Sequence, residues 1–133
     1  MSPPPASAET LRLATNWGKG LYLIARTLSW VEEFNKSADA KAANINIKYI
    51  GGPEVTPARE QLTAVRNGVF YMVQGAAGYY VGVVPEAFAI YGTAITPMEA
   101  RKNGGLALLN EIYNKKANAE VLGWIAAGVG YHV

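Results

Sequence analysis

Hydrophobic and polar residues alternate in two short segments of the chain, and a helical pattern lies between them. Residues 11–15 (LRLAT) and 46–50 (NIKYI) show the two-residue period of β-strands. In the stretch between them, apolar residues recur at the spacing that places them on one face of a helix: Leu21, Ile24, Leu28, Val31 and Phe34. Polar residues 35–44 link this helix to the second strand. The chain therefore begins with a predicted β–α–β unit.

A second strand–helix–strand unit is predicted over residues 46–73. Gly51-Gly52-Pro53 interrupts the second strand, and Thr56-Pro57 is typical of a helix start. The apolar residues of the predicted helix share one face: Ala58, Leu62 and Val65. Asn67-Gly68 ends this helix, because glycine adopts the left-handed conformation without a Cβ clash. The apolar run 69–73 then predicts a third, buried strand.

The order βαβαβ predicts an α/β fold with three layers, in which helices flank an open and mostly parallel sheet. Connections between parallel strands are right-handed, so the loops after the second and third strands, residues 51–55 and 74–80, should lie on one edge of the sheet. In open α/β sheets, ligands bind at that edge. The sequence therefore directs the search for a site to residues 46–92.

The second half of the chain predicts helix and then one more strand. Residues 75–84 form either a short helix or a structured loop, with helix favoured, and their glycines indicate close approach of the backbone to another group. Residues 96–99 (TPME) form a capping box, which predicts a helix over residues 97–116. Gly104-Gly105 in its middle suggests close packing there. Residues 119–133 predict an apolar strand at which the chain stops.

Composition limits the classes of protein to which the chain can belong. Its 133 residues, 50% of them hydrophobic, suit one domain: we predict a flexible leader at residues 1–10 and one α/β lobe at residues 11–133. The net charge of +2 is scattered along the chain, so nucleic acid is not an expected partner. The leader lacks the apolar core of a signal peptide, so the chain is either not exported or has lost its signal. The sequence predicts no transmembrane segment.

The chain contains few residues or motifs that could carry out catalysis. His132 is the single histidine, and cysteine is absent. No serine lies on a strand-to-helix elbow, and neither GxGxxG nor GxxxxGK[ST] occurs. We therefore expect no catalytic residues, no metal site and no cofactor, and predict that the protein is not an enzyme.

Polar and aromatic side chains follow each predicted strand, where a ligand would lie. The candidate ligand-binding residues are Asn16, Trp17, Glu54, Gln74, Tyr79 and Tyr80. Tyrosine suits a small polar ligand because it combines an apolar face with a hydroxyl, and one of the two tyrosines is expected to face the core.

Several of these residues have a second interpretation. Trp17 either walls a pocket or closes the edge of the core. Glu54 either supports the helix that follows it or shapes an anion site at that helix terminus. Lys19 either pairs with an anion or is solvated. The arginines on the predicted helices are interpreted as surface charges: Arg26, Arg59 and Arg66.

The segment GGPEVTPAREQLTAVRNGVFYMVQGAAGYYVGVVPEA, with PMEARKNGG after it, resembles the periplasmic solute-binding proteins of TRAP transporters, the DctP type. The resemblance covers nearly the whole chain after the leader. It implies a type II periplasmic-binding-protein-like lobe that captures a small organic acid in the periplasm and delivers it to the membrane permease subunits. Family members are longer, and the arginine that holds their substrate carboxylate comes from beyond Val133. Residues 70–72 (FYM) also depart from the acidic residue that often precedes this Met.

The resemblance implies that the chain is most of a first lobe, truncated before the second. Our leading hypothesis is therefore solute binding between two lobes without chemistry. A second hypothesis is that the lobe alone has little ligand affinity and associates with the missing lobe or with another copy of the chain. A small flavodoxin-like α/β enzyme is a third and weaker hypothesis.

Overall fold

A computed structural model describes residues 9–123 of the chain. Its sheet consists of β1 (Glu9–Thr15), β2 (Ile45–Gly51) and β3 (Met72–Gln74), in the order β2-β1-β3. Both pairs are parallel. The predicted open parallel sheet flanked by helices is confirmed.

Five α-helices and three 3₁₀ helices connect and cover the strands within residues 9–123. The α-helices are α1 (Tyr22–Lys36), α2 (Ala38–Ala43), α3 (Gln61–Arg66), α4 (Pro97–Lys102) and α5 (Gly105–Ala117). The 3₁₀ helices are Ala58–Glu60, Ala77–Tyr80 and Pro85–Gly92.

The two faces of the sheet carry separate apolar clusters. Leu13 packs with Val31 of α1 and Ile47 of β2 on one face. Its neighbour Ala14 packs with Ala64 of α3 and with Phe70 on the other. Successive residues of a strand point to opposite faces, so this alternation places α1 and α3 in different layers. The three-layer arrangement follows from the strand pattern.

A third cluster joins the second half of the chain to α3. Leu62 packs there with residues of the 3₁₀ helices and of α5: Ala77, Tyr80, Val84, Ala87, Tyr113 and Ala117. The loop after β3 is thereby held between the sheet and α5.

The strand–helix–strand unit differs in its boundaries from the prediction. Residues 58–60 are 3₁₀, and the α-helix begins only at Gln61, so Thr56-Pro57 does not open it. The third strand is shorter and later than the predicted 69–73. Val69 and Tyr71 are exposed and only Phe70 of that stretch is buried, because the chain there passes the sheet edge before it pairs with β1.

The predicted single helix over residues 97–116 is two helices. Gly104 lies between α4 and α5 with φ +87°, a left-handed conformation that ends one helix and precedes the next. No atom lies within 4 Å of a Cβ built on Gly104, so conformation rather than close packing explains this glycine. The predicted close packing is found at Gly105, where a Cβ would lie 3.1 Å from Asn103 Oδ1 and 3.6 Å from Ala100 Cα. The capping box is confirmed, since Glu99 N donates to Thr96 Oγ1 at 3.2 Å and Thr96 N donates to Glu99 Oε2 at 2.7 Å.

The structure also differs from the prediction in the linker after α1 and near both ends of the described residues. α2 lies in the tract predicted to be a linker, where Ser37 Oγ accepts from Ala40 N at 3.1 Å as its cap. Residues 9–10 belong to β1 rather than to the leader, and residues 119–123 form no strand. The remainder of the leader, the remainder of the predicted final strand and His132 lie outside the described residues. None of the helices in residues 9–123 has the length and apolar character needed to cross a membrane.

Candidate functional site

The loops after all three strands meet at the carboxyl edge of the sheet, as predicted. Asn16 N donates to Gln74 O at 3.0 Å, which joins the ends of β1 and β3. The loop after β2 lies equally close, because a Cβ on Gly52 would stand 2.9 Å from Trp17 O. The edge is therefore one continuous surface of the fold.

Asn16 is the centre of a buried hydrogen-bond network at this edge. Its side chain is 2% exposed, and its Nδ2 donates to Gln61 Oε1 at 2.8 Å and to Tyr80 Oη at 2.7 Å. Its Oδ1 accepts from Ala76 N at 2.8 Å. A buried polar group is retained only when its partners are supplied, and Asn16 supplies them to two loops at once. Asn16 therefore lies beneath the surface that it organises.

Gln61 completes this network, although no sequence pattern pointed to it as a site residue. It is fully buried at the start of α3, and its Nε2 donates to Thr15 O at 2.8 Å and to Thr56 O at 2.9 Å. A glutamine near the start of a predicted helix is usually solvated, so only the tertiary structure reveals this role. Its one sequence signal is its position beside the core residue Leu62.

The glycines of residues 75–84 indicated that another group approaches the backbone closely, and Gly75 is where this occurs. A Cβ at this position would overlap Asn16 Oδ1 and the Tyr80 hydroxyl. Tyr80 itself is 5% exposed and belongs to the core, and burial raises the pKa of its hydroxyl. The group that approaches the backbone is thus within the chain.

Trp17 and Tyr79 form the aromatic part of the exposed surface. Both are half-buried, and their rings meet edge to face with centroids 6.0 Å apart and planes at 75°. The guanidinium carbon of Arg59 lies 5.8 Å from the centroid of Tyr79. The sequence alone indicated Arg59 as a surface charge, and its position eight residues beyond the end of β2 was the only signal that could have included it.

Lys19 stands on the other side of Trp17. Its Nζ lies 5.3 Å from the ring centroid of Tyr49, whose hydroxyl is 3.3 Å from Thr15 Oγ1. Thr15 Oγ1 donates to Trp17 O at 2.7 Å, which holds the backbone of the first loop. Each of the two cations therefore lies beside a tyrosine ring, Arg59 beside Tyr79 and Lys19 beside Tyr49.

Glu54 folds back on its own loop. Its Oε1 accepts from Gly52 N at 2.7 Å, and this hydrogen bond is the main reason that the pKa of its carboxyl is lowered, with a smaller contribution from the charge of Lys19. Because α3 begins only at Gln61, Glu54 does not support the first turn of that helix.

Gln74 ends β3 and is half-buried. Its Oε1 is buried and has no hydrogen-bond partner within the described part of the chain. A buried acceptor without a donor is unfavourable, so this oxygen is available to a donor that reaches the edge.

The side chains that meet at this edge are aromatic, amide and cationic. Among residues 9–123, no three acidic, histidine or cysteine side chains cluster in a way that could hold a metal. Aromatic rings and cations instead share one partly exposed surface, a combination typical of sites for small organic ions.

No protein-family model matches the sequence. The fold is similar to a crystal structure of a TRAP transporter solute-binding protein from Bordetella bronchiseptica, with a TM-score of 0.64 and 21% identity. The match covers 84% of this chain but only 34% of that one, so this chain spans about a third of the length of its structural neighbour. That protein is described as a dimer of mixed occupancy, with copurified calcium and picolinate in one active site and the other site apo. At this identity, the likeness shows the fold.

Proposed function

We propose that the chain forms one lobe of a TRAP-type solute-binding protein that captures a small organic acid reversibly. The observation that carries the proposal is the surface of Trp17, Tyr79 and Arg59 at the carboxyl edge of a periplasmic-binding-protein-like sheet. The neighbour, described with bound picolinate, is a binding protein, which supports binding without catalysis.

The predicted site residues take two roles in this proposal. Trp17 and Tyr79 contact the ligand, and Gln74 lies at the same edge, where its unpartnered oxygen can accept only from a ligand that carries a hydroxyl or another donor besides its carboxylate. Asn16 and Tyr80 hold the loops in position from below, while Glu54 fixes the loop after β2. Arg59 is added to the predicted set as the residue that attracts the carboxylate, since no acidic side chain in residues 9–123 forms an ion pair with it.

The compartment and the partners that we propose are those implied by the resemblance to TRAP solute-binding proteins. The lobe acts in the periplasm, closes on the ligand with a second lobe and delivers it to the permease subunits. A single lobe leaves the ligand half solvated, so its own affinity is expected to be weak.

Calorimetry or NMR titration with a panel of small organic acids tests the binding role. Trp17→Ala should weaken binding about tenfold, because it removes half of the aromatic surface. Trp30→Ala is the matched control, since Trp30 is exposed on α1 and stacks on Phe34 away from the site. Equal affinity of the Trp17 variant and the control would contradict the assignment of Trp17.

A second candidate function is association with another copy of the chain. An apolar groove of about 600 Å³ is lined by residues of all three strands, of α1 and of α5, and by residues 118–123. Its lining includes the exposed aromatic residues Trp30 and Tyr71, and also Leu122, which is 69% exposed. Exposed apolar surface beside a sheet edge favours association, and the structural neighbour is described as a dimer.

A further inference from the structure

The aromatic pair at the carboxyl edge leaves ring surface uncovered. In an edge-to-face pair, the ring that supplies its edge has neither face covered by its partner, whereas stacked rings each lose one face. Trp17 and Tyr79 have interplanar angle 75° and are both half-buried. Tyr79 also packs against the core cluster of Leu62 and carries Arg59 over its ring, so the partly exposed Trp17 offers most of the surface against which a flat ring can lie.

Arg59, the cation beside the pair, forms no ion pair with an acidic side chain in residues 9–123. Lys19, by contrast, lies near enough to Glu54 for its charge to lower the pKa of that carboxyl. Residues 9–123 contain one ion pair, between Lys116 and Glu86, which lies elsewhere on the fold. Arg59 and Lys19 each stand beside an aromatic ring instead. Of the nearby carboxylates, Glu54 accepts from the backbone of its own loop, and Glu60 is exposed next to Arg59. The planar guanidinium of Arg59 thus retains donors that match a carboxylate.

The support beneath this surface is rigid. Trp17 and Tyr79 each adjoin in sequence a member of the buried network, Asn16 and Tyr80, which hydrogen-bond to each other at 2.7 Å. The relative position of the two rings is therefore fixed before a ligand arrives, and a fixed site loses less entropy on binding.

We propose that this site selects planar aromatic monocarboxylates over aliphatic acids of equal size and charge, with the ring against Trp17 and Tyr79 and the carboxylate on Arg59. This inference rests on the proposed function and specifies its ligand class. Selection depends on a flat π-face as well as on charge, because an aliphatic ring of the same size offers apolar surface but no quadrupole.

The test compares three probes of similar size by ¹⁵N NMR titration of the full chain: benzoate, cyclohexanecarboxylate and benzamide. Benzoate should bind about 2- to 10-fold more tightly than cyclohexanecarboxylate, the range that one aromatic contact gives. It should also shift the Trp17 indole N–H resonance, which is assigned through Trp17→Phe. Benzamide, which lacks the charge, should bind more weakly than benzoate.

Two variants separate the contributions of ring and charge. Trp17→Leu should remove the preference for benzoate while binding of both carboxylates persists. Arg59→Gln should weaken both carboxylates about tenfold or more and leave benzamide unchanged. Arg66→Gln is the matched control for charge, since Arg66 lies in the last turn of α3. Spectra of each variant establish that it is folded.

The results of these titrations separate a failure of the aromatic preference from a failure of the proposed organic-acid binding. Equal or tighter binding of cyclohexanecarboxylate would overturn the aromatic preference and leave organic-acid binding intact. An effect of Arg66→Gln equal to that of Arg59→Gln would overturn the role of Arg59. Absence of binding by either carboxylate, here and in the wider panel of acids, would overturn the proposed function itself.

Discussion

At the scale of single residues, Asn16 is the side chain on which the edge of the sheet most depends. Asn16→Ala would leave the buried oxygens of Gln61 and Tyr80 and the backbone N–H of Ala76 without their partners. Unsatisfied buried groups cost about 1–3 kcal/mol each, partly recovered by relaxation, so we expect a loss of about 2–4 kcal/mol in the free energy of unfolding.

Urea denaturation measures this loss. Asn114→Ala is the control, because Asn114 is exposed and its side-chain amide donates only to Asn110 O within its own helix. Its effect should stay within about 0.5 kcal/mol. If Asn16→Ala were as mild as the control, the network would not be what holds the loops together.

The same residues show where sequence reasoning reached its limit. The positions of Asn16 and Trp17 at the edge followed from the strand period alone. Which of the adjacent Tyr79 and Tyr80 faces the core depends on the 3₁₀ turn that contains them, and no period in the sequence indicates that turn. Arg59 was missed because its role arises from a contact with Tyr79 across two loops.

At the scale of elements, the sequence predicted those whose pattern repeats several times. β1, β2 and α1 have enough turns or alternations to show their period, and the capping box marked the start of α4. α2 has only six residues, and β3 only three, so neither offers a period to read. Short elements of this kind are held by contacts with the rest of the fold rather than by their own pattern.

The break between α4 and α5 gives an element-scale prediction. Gly104→Ala should destabilise the fold by about 1–2 kcal/mol, since alanine resists the left-handed conformation with φ +87°. Thermal or urea unfolding measures the change, with Gly82→Ala as control because Gly82 has no positive φ and no atom within 4 Å of its built Cβ.

If Gly104→Ala were neutral or stabilising, one continuous helix over residues 97–116 would be the better description, as the sequence first indicated. Glycine marks either a helix break or a close contact, and the sequence does not distinguish these causes. Here the open space around Gly104 identifies the break.

At the scale of the whole molecule, the fold exposes two surfaces of different character. The carboxyl edge is aromatic and cationic, and the groove lined by the three strands, α1 and α5 is apolar. Within the described residues, β3 pairs only with β1. The first surface suits a small anion and the second suits protein.

We therefore expect the chain to self-associate through the groove, independently of ligand. Replacing Trp30 and Tyr71 together by serine should weaken a monomer–dimer equilibrium at least about tenfold, because interface aromatics contribute most to such contacts. Analytical ultracentrifugation over a concentration series measures the equilibrium constant. Tyr22→Ser is the control, since Tyr22 is 77% exposed and lies outside the groove.

A chain that remains monomeric throughout and binds no apolar dye would contradict the expectation. Loss of dimer with unchanged benzoate binding would establish that the two surfaces act separately.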